Sequence, residues 1–206
     1  TKGDPRVDHI LQVVQNNSSS ITKPNQQEVI IYASVHQEDA FILRLVNDLD
    51  SKLHIVVPHE VDEASIEFWK SKISEPFDIY SQQKEWSKNI LLVDEIGLLA
   101  GLYSLGDYSY VGGGFGNGIH NILEPAIKYN MIIIGPAHDQ FPEARKLLEL
   151  RAIEKINTKE IPYSLVNLGE SQKQKRKAKL NQFFEENQGA AKAITYALKP
   201  TLDAIK

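Results

Sequence analysis

Six short apolar runs, at 29–33, 53–57, 77–80, 90–93, 108–111 and 131–134, are separated by longer amphipathic stretches. The runs are rich in Val, Ile and Tyr and continuous rather than alternating, the pattern of strands covered on both faces. Between them, Phe41, Ile42, Leu45, Val46 and Leu49 fall at helical spacing, as do Ile66, Trp69 and Ile73, and then Ile96, Leu99, Leu102, Tyr103 and Leu105. A first helix within 3–14 puts Val7, Ile10, Leu11 and Val14 on one side, a later one runs from 141 to 150, and two more fill 171 to the end, parted near Gly189. Segments 16–27 and 82–88 are polar and read as loops. Six strands alternating with helices predict an α/β fold, a doubly wound parallel sheet with its ligand at the carboxyl ends of the strands. The turn after the first strand then makes Ser34 and His36 candidate site residues, with a helix cap or surface histidine as the plainer use. Asp94 and Glu95, at the start of a predicted helix, read as favouring the positive end of its dipole rather than as an acid and base pair.

Charge and composition narrow the classes of function. The chain has 206 residues, enough for a single well-buried domain, with 23 basic and 27 acidic side chains and a pI near 5.9. That balance gives no global attraction to nucleic acid or to an anionic membrane. Cysteine is absent, which excludes disulfides, thiolate nucleophiles and thiolate metal sites and suits a cytosolic protein. The apolar runs are of strand length rather than membrane length. The start, Thr-Lys-Gly-Asp-Pro-Arg, has neither a signal peptide nor an initiator methionine and reads as a piece cut from a longer chain. Metalloprotease, Walker and serine-hydrolase motifs are missing. Lys173, Lys175, Arg176, Lys177 and Lys179 form a basic run, either a solvated helix face or a contact with anionic lipid or a companion domain.

The candidate chemistry gathers in 107–125, Asp-Tyr-Ser-Tyr-Val-Gly-Gly-Gly-Phe-Gly-Asn-Gly-Ile-His-Asn-Ile-Leu-Glu-Pro. A strand enters a loop carrying Gly112, Gly113, Gly114, Gly116 and Gly118, and Asn121 is placed to cap the helix that follows. Glycines let the backbone turn and let a ligand approach the main chain, and free N–H groups at a helix start favour an anion. His120 and Asn121 add side-chain donors, and Glu124 offers a carboxylate for sugar hydroxyls beside that anion. The segment predicts a phosphate or nucleotide-sugar site, with a packing turn that binds nothing as the alternative.

The same residues resemble a family. Val93-Asp94-Glu95-Ile96-Gly97 with Leu102-Tyr103, the segment 107–125, Gly135-Pro136 and Phe141-x-Glu143 are similar to the C-terminal half of 3-deoxy-D-manno-octulosonic acid (Kdo) transferase, a GT-B glycosyltransferase. Gly3-Asp4-x-Arg6-x-Asp8 resembles the start of that family's second domain, so the likeness runs to about residue 145. It implies that 1–206 is a single Rossmann-like donor-binding domain, with 171–206 as C-terminal helices and the N-terminal acceptor domain outside this chain. The implied donor is CMP-Kdo, with CMP as leaving group and a lipid A precursor as acceptor, at the cytoplasmic side of the bacterial inner membrane. No metal or cofactor and no nucleic acid partner are implied, and the catalytic base is expected in the missing half, so the soluble fragment alone should not transfer sugar. Arg6 is expected near the donor, and Pro58 and His59 near the cytidine base, although many members carry arginine at the position of His59. Pro142 is an extra proline, and the family's Gly-rich strand edge after this helix has no counterpart in 150–153. A GT-B half that takes a UDP-sugar, and a non-catalytic nucleotide-binding module, are the other readings.

Overall fold

Val29 to Ala33 form the middle of the sheet because no other stretch is so uniformly β-branched or aromatic, and all five residues are buried. In the computed structural model, which describes residues 3–14, 19–82 and 85–203, this strand is β1 (Val29–Val35). Six more strands run parallel to it: β2 (Leu53–Pro58), β3 (Phe77–Ile79), β4 (Ile90–Leu92), β5 (Tyr108–Val111), β6 (Met131–Ile134) and β7 (Glu154–Lys155). Their spatial order is β3-β4-β2-β1-β5-β6-β7. The chain therefore lays β2, β3 and β4 to one side of β1, with β4 inserted between β2 and the edge strand β3, then returns and builds outward on the other. The reversal lies between β1 and β5, which leaves a crevice at their carboxyl ends.

Side chains alternate across the strands, and both faces are covered. Ile30, Tyr32, Val56, Ile90, Leu92, Tyr110 and Ile133 point to one face, against Val46 of α2 (Leu43–Asp48) and Ile66 and Trp69 of α3 (Glu63–Lys72). On the other face, Val111, Ile132 and Ile134 meet α1 (Pro5–Val14), α5 (Leu123–Ile127), α6 (Pro142–Glu149) and α7 (Glu170–Asn187) through Val7, Leu123, Leu147 and Phe183. Each such side chain contributes roughly 1.5–3 kcal/mol when removed from water. Asn130 locks the entry to β6: its carboxamide accepts from Ser109 Oγ at 2.6 Å and donates to the carbonyls of Tyr103 and Gly106 at 3.0 Å. No helix among the described residues is long and apolar enough to cross a membrane.

Three expectations need correction. The helix predicted from Ile96 onward shrinks to α4 (Leu99–Leu102), and Asp94 caps no helix; its carboxylate accepts from Ser81 N and Oγ at 3.0 and 2.5 Å. Gly97 adopts φ +83° there, Glu95 is exposed, and Ile96 faces solvent at 80% exposure. A seventh strand appears at Glu154–Lys155, paired with Ile133 and Ile134. The basic run is only in part a solvated face: Lys175 and Lys177 are exposed, while Lys173, Arg176 and Lys179 are partly buried. Lys173 pairs with Glu28, Arg176 with Glu154, Lys177 lies 4.6 Å from the Tyr129 ring, and Lys179 Nζ donates to the Arg151 carbonyl at 3.1 Å. Four of its five cations thus contact β7 or the loops flanking the strands. Beyond Gly189, α8 (Ala190–Asp203) begins where Asp8 accepts from the Gly189 and Ala191 amides at 2.6 and 2.7 Å.

One buried base makes stability depend on acid. His54 on β2 is 1% exposed, with Nδ1 3.0 Å from Tyr32 Oη and Nε2 2.9 Å from the Leu49 carbonyl. Donation to that carbonyl leaves Nδ1 to accept from Tyr32, so the neutral ring is the one that fits. Burial pushes its pKa down to about 4 from 6.5. The unfolded chain therefore binds a proton between those values that the folded chain refuses, and stability falls as pH drops through that window. The loss expected from His54 alone is about 3 kcal/mol between pH 6.5 and pH 4. Urea unfolding across this range should show a steeper pH slope for the native chain than for His54→Gln; equal slopes would contradict it.

Candidate functional site

Three loops meet at the crevice where the winding reverses. The first follows β1, whose register with β2 slips between Ala33 and Val35, so that Ser34 is an extra residue held at φ +51°. This bulge turns the chain and delivers His36. The second leaves β2 at Pro58, which is buried and in register with Val35, and delivers His59, whose amide donates to the Val35 carbonyl at 2.9 Å. The third is the glycine loop after β5, ending in His120, Asn121 and α5. Ser34 and Pro58 thus act here as backbone that positions the histidines.

Asp39, which the sequence reading passed over, holds the first and third loops together. It is fully buried and accepts from His36 N at 2.9 Å, Gly113 N at 3.1 Å and Tyr110 Oη at 2.6 Å. Burial, and then the Asp39 charge, raise the Tyr110 pKa. A signal was available: His36-Gln37-Glu38-Asp39 has the spacing with which an acid three residues into a helix reaches back to the residue that precedes it. A 3-10 turn, Gln37–Ile42, follows accordingly.

The glycine loop differs from its predicted use. The amide of Gly112 donates to Ala33 O at 2.8 Å, that of Gly113 to Asp39, and those of Gly116 and Gly118 to Gly113 O at 2.9 and 3.2 Å. The His120 amide donates to Gly112 O at 3.3 Å. Four of the five glycine amides expected to cradle an anion are therefore spent on folding the loop onto itself and onto β1. Gly114 is pressed instead against the backbone of Gly135. Among the described residues, the N–H groups of Gly114, Phe115 and Asn117 in the loop, and of Ile122 and Glu124 around the start of α5, have no partner.

What the loops bring together is a set of side chains. His36 Nε2 and His120 Nε2 are 2.8 Å apart, and the His59 ring centroid lies 4.5 Å from that of His36 and 4.3 Å from that of His120. Burial, reinforced by the neighbouring His59 and His36, depresses the His120 pKa to about 4. Next to this cluster opens a cleft of roughly 670 Å³ lined by His120, Asn121, Glu124, Arg6, His9 and Glu143, among others. Asn121 does serve the helix start, its Oδ1 accepting from Leu123 N at 3.0 Å while its Nδ2 donates to Glu124 Oε1 at 3.0 Å. Partial burial raises the Glu124 pKa. Arg6 reaches the cleft as expected, but its guanidinium is committed: it forks onto Glu143 at 3.0 and 2.9 Å and onto Asp4 at 2.7–3.2 Å. Glu143 is a second residue whose role the sequence did not disclose. Its carboxylate is 6% exposed and ties α6 to α1 across the cleft floor.

No protein-family model matches the chain. It is 29% identical over 157 residues to a bifunctional glycosyltransferase/methyltransferase of Fusobacterium nucleatum, covering 73% of this chain and 24% of that protein. It is 28% identical over 192 residues to a 3-deoxy-D-manno-octulosonic acid transferase of Rickettsia typhi, covering 86% and 42%. The chain thus spans less than half the length of these curated relatives. Among solved structures, the C-terminal CMP-Kdo binding domain of WaaA from Acinetobacter baumannii superposes with a TM-score of 0.60 over 88% of this chain and 95% of that one, at 18% identity. The predicted family resemblance is therefore present in sequence, and the fold is the doubly wound Rossmann-like sheet of GT-B glycosyltransferase domains.

Proposed function

We propose that this chain is the donor-binding domain of an inverting glycosyltransferase that moves Kdo from CMP-Kdo to a lipid A precursor, working with an N-terminal acceptor domain at the inner membrane. The observation that carries the reading is the cleft beside the β1/β5 reversal, where His120, Asn121 and Glu124 stand together in a chain related to Kdo transferases. In this reading Glu124 accepts from the ribose hydroxyls, with Asn121 holding its carboxylate in place. Phosphate lies on the other side of Asn121, toward His120, which keeps the two anionic groups apart. An acceptor hydroxyl attacks the anomeric carbon as the bond to the phosphate oxygen breaks. The hydroxyl proton goes to a base on the acceptor domain, and CMP leaves with the bonding electrons. The side chains of His120 and Asn121, rather than the glycine amides of the loop, receive the charge that develops on that phosphate.

The experiment is calorimetric titration of the chain with CMP and with UDP. CMP is expected to bind and UDP to bind more weakly. Glu124→Ala should lower CMP affinity about 10–100-fold, the worth of a hydrogen bond to a charged group, with the melting temperature unchanged. Tighter UDP binding would point to another sugar nucleotide, and no binding of either would overturn the assignment.

A further inference from the structure

We propose that His36, His59 and His120 form a three-imidazole site for a divalent transition-metal ion, zinc in the first instance. The site shares His120 with the donor reading and runs against the metal-free expectation drawn from the sequence. Each ring offers a nitrogen within 4.8 Å of the other two, in a group drawn from three separate loops. In a tetrahedral zinc site with Zn–N of about 2.0–2.1 Å, ligand nitrogens stand roughly 3.4 Å apart. The 2.8 Å His36–His120 separation and the 4.8 Å outer limit bracket that spacing, so modest ring rotations bring all three onto one ion.

The backbones that carry the rings are already fixed to one edge of the sheet. The His36 amide is held by Asp39, that of His59 by the Val35 carbonyl and that of His120 by the Gly112 carbonyl. Among the described residues no carboxylate or carbonyl hydrogen-bonds any of the three rings; the only such contact is between the His36 and His120 nitrogens. Only one shared N–H···N bond holds the three imidazoles together. A cation with vacant orbitals resolves that arrangement by taking a lone pair from each.

The donor set selects the ion. Imidazole suits zinc, copper, nickel and cobalt, while magnesium and calcium require oxygen ligands. His59 is exposed and the other two rings are half-buried, so a fourth position stays open to water or to an anionic oxygen, as in catalytic rather than structural zinc sites.

The test is titration of the chelator-stripped chain with zinc chloride by calorimetry, and with cobalt(II) by visible absorption. One ion per chain is expected, with cobalt giving the intense bands of a four-coordinate site. His36→Ala, His59→Ala and His120→Ala should each weaken zinc at least 100-fold, the upper end of what loss of an outer-shell partner costs. His59 is exposed, so its variant is expected to fold and keeps the result interpretable. Absence of zinc binding, or unchanged affinity in His59→Ala, would overturn the proposal. CMP binding to the stripped chain is measured separately; if CMP binds and zinc does not, the metal site fails while the donor reading stands.

Discussion

Replacing Asp39 with alanine is expected to destabilise the chain by about 4 kcal/mol, although no charge partner is lost. The carboxylate is fully buried and is the acceptor for three donors that arrive from different parts of the structure: His36 N, Gly113 N and Tyr110 Oη. Each buried donor left without a partner costs roughly 1–3 kcal/mol, and water entering the small space recovers part of the sum. Asparagine should cost less, about 1–2 kcal/mol by the same scale, because its oxygen can serve the two amides while its NH2 group faces Tyr110, whose hydroxyl can turn and accept. Urea unfolding of the two variants checks the order. An alanine variant within 1 kcal/mol of the native chain would show that the β1/β5 reversal is held by other contacts. Because Asp39 joins the His36 loop to the glycine loop, the alanine variant should also lose affinity for CMP, whereas a purely global destabilisation would leave binding by the folded fraction intact.

Asp39 also shows which features a sequence does not reveal by itself. Strands 29–33 and 131–134 were legible because a sheet covered on both faces demands uninterrupted apolar runs. β7 was not, because it is two residues long and polar; the burial that places it belongs to Ile153 and Ile156 on either side. The helix expected to carry Ile96 through Leu105 forms only over Leu99–Leu102: its apolar spacing is right, but Gly97 and the Asp94–Ser81 contact, a tertiary event, decide the backbone before it. The cations of α7 looked like a solvated face because their partners, Glu28 and Glu154, lie 145 and 22 residues away. His36, His59 and His120 were each legible as loop residues after strands. Their convergence was not, because it depends on β2, β1 and β5 being neighbours in that order, which strand patterns alone do not fix. The same holds for the glycine loop: five glycines in seven residues announce close backbone approach, but the sequence does not say whether a ligand or another strand's loop makes that approach.

At Gly114 the approaching backbone is the protein's own, and alanine there is expected to cost about 3 kcal/mol, the top of the usual range for overpacking. A methyl group would stand 2.6 Å from Gly135 Cα and 2.7 Å from Gly135 N, and a methyl on Gly135 would meet Gly114 C at 2.6 Å. Neither neighbour is a side chain that can swing away. The two loops are also stitched by hydrogen bonds, Ala137 N to Gly114 O at 2.9 Å and Ile119 N to Ala137 O at 3.2 Å, so separating the backbones breaks contacts that carry Ile119 and then His120. Gly116 provides the comparison within the same loop. A methyl there is crowded by Glu38 Oε1, at 2.4 Å, the end of an exposed and flexible side chain, and meets Gly113 O only at an ordinary 3.7 Å. Gly116→Ala should therefore lie within about 0.5 kcal/mol of the native chain, as ordinary surface substitutions do. If loop flexibility itself were needed to wrap an anion, the two variants would weaken CMP binding alike while differing in stability. If the glycines serve the packing of one loop on the other, only Gly114→Ala loses both, because the side chains that face the donor move when Gly114 and Gly135 are forced apart and stay in place when Glu38 turns aside.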